Sequence, residues 1–266
     1  MYKKLTAGLL LLSMIALPGL SYNAAQAKTP QKTAIKPKVI KTVNTDVTGD
    51  KIADNIKLIG LKKYSDSPYY DSIALKITTG SDKKVLISYL DNMSGIEPKM
   101  FIGDFSGDKV KDIMINAATG GSGGIVNNRI ATIKGGKVNI IFDEDDNQGL
   151  ALTGKFTDGF KADMNVKNLD KKFTIDLDAF KDSYIKDGIY DADGKLKEEV
   201  EPWADGFSLL EPIEYNMDGT LYLRGIQGVS GAYHANRISN MESLWKYTGS
   251  KWEPINVTYT TSLVFK

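Results

Sequence analysis

Two stretches of the chain begin alike: DVTGDKIADNI from Asp46 and DFSGDKVKDIM from Asp104. Each has aspartate at its first, fifth and ninth positions, glycine at its fourth and lysine at its sixth. Asp opens turns because its carboxylate accepts from backbone N–H groups two residues on, and Gly supplies the backbone freedom the turn needs. A turn repeated at the head of an apolar run constrains the chain to repeated turn-and-strand units. Weaker copies stand at Lys155 (KFTDGFKADMNV) and Asn216 (NMDGTLYLRGI). Units are therefore expected to start near 46, 104, 155 and 216, each with about three or four short strands.

Period-two alternation supports that reading. SIALKITT puts Ile73, Leu75 and Ile77 on one face; KVNIIF, FKADMNV, KFTIDL and TLYLRGI are similar short runs. Gly, Asn and Asp separate them, as in KGGK, TDGF, MDGT and TGSK, which is the usual hairpin signal. One segment reads as helix, residues 178–187, with Phe180 and Tyr184 four apart, Asp178 placed to cap it and Gly188 to end it. The expected fold is mainly β: repeated antiparallel β-units, β-propeller-like, about four in number, with one short helix.

The Asp-x-Thr/Ser-Gly-Asp-x-x-x-Asp turn feeding an apolar strand resembles the FG-GAP/VCBS type of calcium-loop repeat, which builds integrin-like propeller blades in many secreted bacterial proteins. The resemblance implies a Ca²⁺ ion held by loop positions 1, 3, 5 and 9 with a carbonyl near position 7. In the first loop these are Asp46, Thr48, Asp50 and Asp54 with the carbonyl of Ile52. In the second they are Asp104, Ser106, Asp108 and Asp112 with the carbonyl of Val110. The family has Asp or Asn at position 3 and Gly at position 6, where this chain has Thr48 or Ser106 and Lys51 or Lys109. Three carboxylates without a bidentate Glu imply weak binding, on the order of 10⁻⁴–10⁻³ M.

The first residues read as an export signal, 1–27: Lys3 and Lys4, an apolar run broken by Pro18 and Gly19, then the small-x-small site Ala25–Ala27. No later segment is apolar enough to span a bilayer, so no membrane span is expected once the signal is removed. The expected location is extracytoplasmic, secreted or on the cell surface. Residues 28–45 hold five lysines, two prolines and no acid, and are expected to form a basic, mobile linker. Residues 46–266 then form a single β-repeat domain. The chain has no cysteine, which excludes disulfides, thiol catalysis and Cys-ligated metals. Basic and acidic residues balance, 34 to 33, so nothing in the overall charge points to nucleic acid.

Four further motifs bear on function. GGSGG at 120–124 lacks the helix and the Lys-Ser/Thr that a phosphate loop requires, and reads as a hairpin tip. DEDDNQ at 143–148 reads as a solvated acidic loop or a cation-attracting patch. EEVEPW at 198–203 reads as surface, with Trp203 stacking on a sugar or sitting in the core. Near the C-terminus Tyr233, His234, Asn236 and Arg237 make a polar, aromatic cluster on a loop, suited to ligand recognition. His234 is the only histidine, and no triad motif accompanies it. The expected function is an exported, non-enzymatic binding or surface module, calcium-stabilised, whose partner is an extracellular or cell-wall polymer or protein. The alternatives are a secreted hydrolase acting on envelope carbohydrate or peptide, and a structural component of an envelope or coat layer.

Overall fold

The computed structural model describes residues 37–261, so the export signal and residues 28–36 lie outside the described residues. The fold is mainly β and antiparallel, in three sheets. The first is a four-stranded meander of β1 (Lys38–Thr45), β2 (Asp54–Leu61), β4 (Ser72–Thr78) and β5 (Val85–Tyr89). The second joins the two-residue β3 (Tyr69–Tyr70) to a meander of β6 (Gly95–Gly103), β7 (Asp112–Ala118), β8 (Val126–Lys134) and β9 (Lys137–Phe142). The two turns at 46 and 104 hold the same place, each linking the first two strands of its meander.

The other two turns do not open sheets of their own. Lys155 lies within β10 (Leu152–Thr157), and Asn216 begins the turn between β13 (Trp203–Glu214) and β14 (Leu221–Ser230). Both belong to one seven-stranded sheet, completed by β11 (Lys161–Val166), β12 (Lys171–Asp176), β15 (Arg237–Tyr247) and β16 (Trp252–Thr260). β12 and β16 are its two edges, yet Phe173 of β12 stacks on Tyr259 of β16 with centroids 4.5 Å apart. The sheet therefore curls toward a half-barrel, filled by Phe156, Phe160, Tyr184, Tyr190 and Phe207.

The basic linker is corrected at its C-terminal end. Residues 38–45 form β1, paired with β2 along its length with a bulge between Val39 and Lys41. Ile40 and Val43 turn half inward while Lys38 and Lys41 face solvent. Lysines on an edge strand keep it from pairing with other chains, so a charged run and a strand are compatible. The expected helix is also shorter than its pattern. Asp178–Phe180 form a 3-10 turn, and α1 (Lys181–Lys186) follows without a side-chain cap, although Gly188 ends it at φ 77°.

The second sheet is the middle layer. Ile56, Leu58, Ile73, Leu75 and Ile77 of the first sheet pack on Ile113, Ile115, Ala131 and Ile133 of the second. Met114, Ile130 and Phe142, from the opposite face of the second sheet, pack into the core of the curled sheet. Each such side chain buried contributes about 1.5–3 kcal/mol.

Candidate functional site

The two aspartate corners share most of their hydrogen bonds. Asp46 Oδ1 accepts from Gly49 N at 2.7 Å and Asp104 Oδ1 from Gly107 N at 2.6 Å; the other oxygen of each accepts from Lys51 N or Lys109 N. Asp50 and Asp108 each accept from the N–H two residues on, at 2.8 and 2.9 Å. Asp54 and Asp112, fully buried, turn back and accept from Val47 N and Thr48 N, and from Phe105 N and Ser106 N. Gly49 and Gly107 have φ of 80° and 78°; Lys51 and Lys109 follow at 68° and 70°, left-handed positions that the glycine of the calcium-loop pattern would take without strain.

The loop carboxylates are engaged within their own corners. Every loop aspartate aims an oxygen at a backbone N–H of its own turn, and among the described residues no group of three Asp, Glu or His side chains is spaced to hold a metal. Ser106 and the Ile52 and Val110 segments take part in the turns through backbone N–H groups, as does Thr48, whose hydroxyl also donates to Asp46 Oδ1 at 3.4 Å. The two corners differ at two positions: Ser106 Oγ has no partner where Thr48 Oγ1 donates to Asp46 Oδ1, and the ninth-position carboxylates differ in theirs. Asp54 Oδ1 accepts from Gly80 N at 2.8 Å, whereas Asp112 Oδ1, equally buried, has no partner. In the first meander the chain turns at Gly80 just after β4; in the second, β8 runs on to Lys134 and its N–H groups stay in the ladder with β9. Burial pushes the Asp112 carboxyl above the usual carboxylate range.

The second grouping lies where β13 begins. Trp203 pairs with Ser230, the last residue of β14, and the loop from 231 to 236 returns the chain to β15. Asn236 closes that loop from inside: its Oδ1 accepts from Ala232 N and from the Tyr184 hydroxyl, and the residue is buried. Arg237 reaches back over Gly228, where any Cβ would collide with its guanidinium, and donates to Asn240 Oδ1 at 3.2 Å. Both are thus spent on structure. Tyr233 and His234 remain exposed. His234 Nε2 lies 2.9 Å from Asp205 Oδ2, and its ring meets Trp203 edge-on at 5.4 Å. The tip of the 119–125 hairpin, the GGSGG stretch, passes beside Asp205 at Gly123.

Next to this pair is a cleft of about 390 Å³ between Trp203 and Tyr233. Asp187, Glu198, Glu199 and Glu201 contribute its carboxylates, and no Lys or Arg lines it. The acidic stretch 198–201, read from sequence as plain surface, forms one of its walls. Asp205 carried no sequence signal: it meets His234 only through the register of β13, β14 and β15. The other acidic run, 143–148, folds into a turn at Asp146–Gln148. There Glu144 approaches the buried Arg129 at 3.5 Å, and burial pushes the Asp146 carboxyl up.

Residues 150–260, from just before β10 to the end of β16, match a protein family described as "YybI C-terminal domain". The chain is similar to a Bacillus subtilis (strain 168) protein described as "Uncharacterized protein YybI", 28% identical over 215 residues, which cover 80% of this chain and 81% of that protein. No solved structure matches the chain. No helix among the described residues is long and apolar enough to cross a membrane.

Proposed function

We propose that the chain is an exported, non-enzymatic binding module of the cell surface, and that the cleft between Trp203 and Tyr233 receives its partner. One observation carries the reading: four carboxylates and two aromatic rings line a cleft that no basic side chain enters. A protonated amine with an apolar stem suits such walls, since the carboxylates attract the charge and the rings add cation–π attraction of about 0.5–2 kcal/mol. Amine-bearing peptides and polymers of the envelope belong to that class. Calcium has no part in this reading.

The test is a tryptophan-fluorescence titration of residues 37–266 with tetralysine at low ionic strength. Saturable binding is expected, weakened by added salt and in a Glu199→Gln, Glu201→Gln variant. Absence of binding, or binding indifferent to both changes, would overturn the reading. The Asp205–His234 pair supports a second reading, hydrolysis of envelope carbohydrate or peptide. That reading requires the protein to release fragments from purified cell wall and a His234→Ala variant to lose the activity.

A further inference from the structure

Four turns gather at one end of the fold. The second aspartate corner touches the β13–β14 turn directly: Leu221 N donates to Asp104 O at 2.6 Å, and Asp104 bridges Thr220. The β8–β9 and β15–β16 turns close the sides. Between them lie two adjoining clefts of about 410 and 490 Å³ that share Ser106, Tyr247 and Gly249.

Their walls differ from those of the acidic cleft. Asp108 and Lys134 line one, Asp218 and Lys246 the other, and none of these four is in an ion pair among the described residues. The signs cancel, so the groove has no net charge with which to select an ion. Asn139 and Thr132 add an amide and a hydroxyl, and Tyr247, braced by Trp252 at 5.4 Å, stands at the junction of the clefts. Beneath them are two unsatisfied atoms, Ser106 Oγ and Asp112 Oδ1, each buried without a partner. An unpartnered buried polar group costs about 1–3 kcal/mol. The corresponding carboxylate of the first corner is relieved by Gly80 N–H.

We propose that the joined clefts form a binding groove for a neutral, hydroxyl-rich ligand, a carbohydrate chain. Ser106 and Thr132 border Asp112 Oδ1 and can each turn an O–H to it; when the Ser106 side chain turns toward the groove, its Oγ accepts from a sugar hydroxyl while Thr132 keeps Asp112 partnered. The apolar face of a sugar ring lies on Tyr247, and the amide and mixed charges around it meet the remaining hydroxyls, which both donate and accept. The proposal does not depend on the acidic cleft and takes a ligand of different charge.

The experiment is calorimetric and saturation-transfer NMR titration of residues 37–266 with chitotetraose and with cellotetraose, which separates a need for acetamido groups from a need for hydroxyls alone. At least one is expected to bind. Ser106→Ala and Asn139→Ala should each weaken it, up to about tenfold for one hydrogen bond. Thr48→Ala, the matching change in the first corner, should leave it unaltered. Circular dichroism melts of each variant establish that it is folded. Failure of both oligosaccharides to bind, or wild-type binding by folded Ser106→Ala and Asn139→Ala variants, would overturn the proposal.

Discussion

Asp54 and Asp112 show how much one atom decides. Both are fully buried at the ninth position of the same corner, and both accept two backbone N–H groups through one oxygen. The same substitution should therefore act in opposite directions. In Asp112→Asn the amide nitrogen takes the place of the unpartnered oxygen and can donate to Ser106 or Thr132, whose hydroxyls border it. In Asp54→Asn it faces the Gly80 N–H, donor against donor, and the fold should lose about 1–3 kcal/mol. The pH dependence follows from the raised carboxyl of Asp112, whose main cause is burial. A group with a folded-state pKa above its unfolded value contributes stability that is fully present below the unfolded value, about 3.9, and is lost as pH rises through the folded one. Melting curves should show Asp112→Asn gaining on the wild type as pH increases from about 3 to 7. A difference constant across that range would mean the carboxylate is satisfied in solution. The sequence revealed which residues make each corner. It did not reveal the Gly80 contact, which depends on where β4 stops.

At the scale of elements, local turn chemistry was legible and strand partnership was not. The corners at 46 and 104 follow one backbone path because the same Asp and Gly positions impose it. Lys51 and Lys109 oppose it mildly, since a left-handed conformation strains a residue with a Cβ by about 1–2 kcal/mol. Lys109→Gly should remove that strain while making the unfolded chain more flexible, for a net gain of about 0.5–1 kcal/mol in denaturant unfolding. A loss would show that the lysine side chain holds the corner. β1 was hidden because its lysines resemble a linker, and Ile40 and Val43 are too few to display a period. Its role predicts different outcomes for two truncations. Starting the chain at Pro37 should leave cooperative unfolding intact. Starting it at Asp46 removes β1, bares the edge of β2 and should lower the melting temperature and promote aggregation. Equal melting of the two would return residues 38–45 to the linker.

On the scale of the whole molecule, the stacking of sheets explains what repeat logic missed. Counted by position in the corner, Ile113 and Ile115 correspond to Asn55 and Lys57, not to Ile56 and Leu58. All four isoleucine and leucine positions are buried, but they enter one core from opposite sheets. Asn55 and Lys57 lie on the outer face of the first sheet, whereas β7 is covered on both faces because its sheet is the middle layer. No pattern within one unit announces that a neighbouring unit will cover its second face. The same layering bears on the segment 150–260, which matches a family by itself. Its half-barrel core is completed from outside that segment by Phe105, Met114, Ile130 and Phe142, and Trp252 donates from its indole N–H to the Ile141 carbonyl at 2.6 Å. Four large side chains at about 1.5–3 kcal/mol each amount to a loss on the order of 10 kcal/mol, comparable with the whole stability of a domain. Residues 150–261 expressed alone should therefore lack a cooperative melt and bind a hydrophobic dye, while residues 37–261 unfold in a single transition. Adding residues 95–149, which carry β6 to β9, should restore cooperativity. A sharp, dye-free melt of 150–261 alone would show instead that the curled sheet completes its own core.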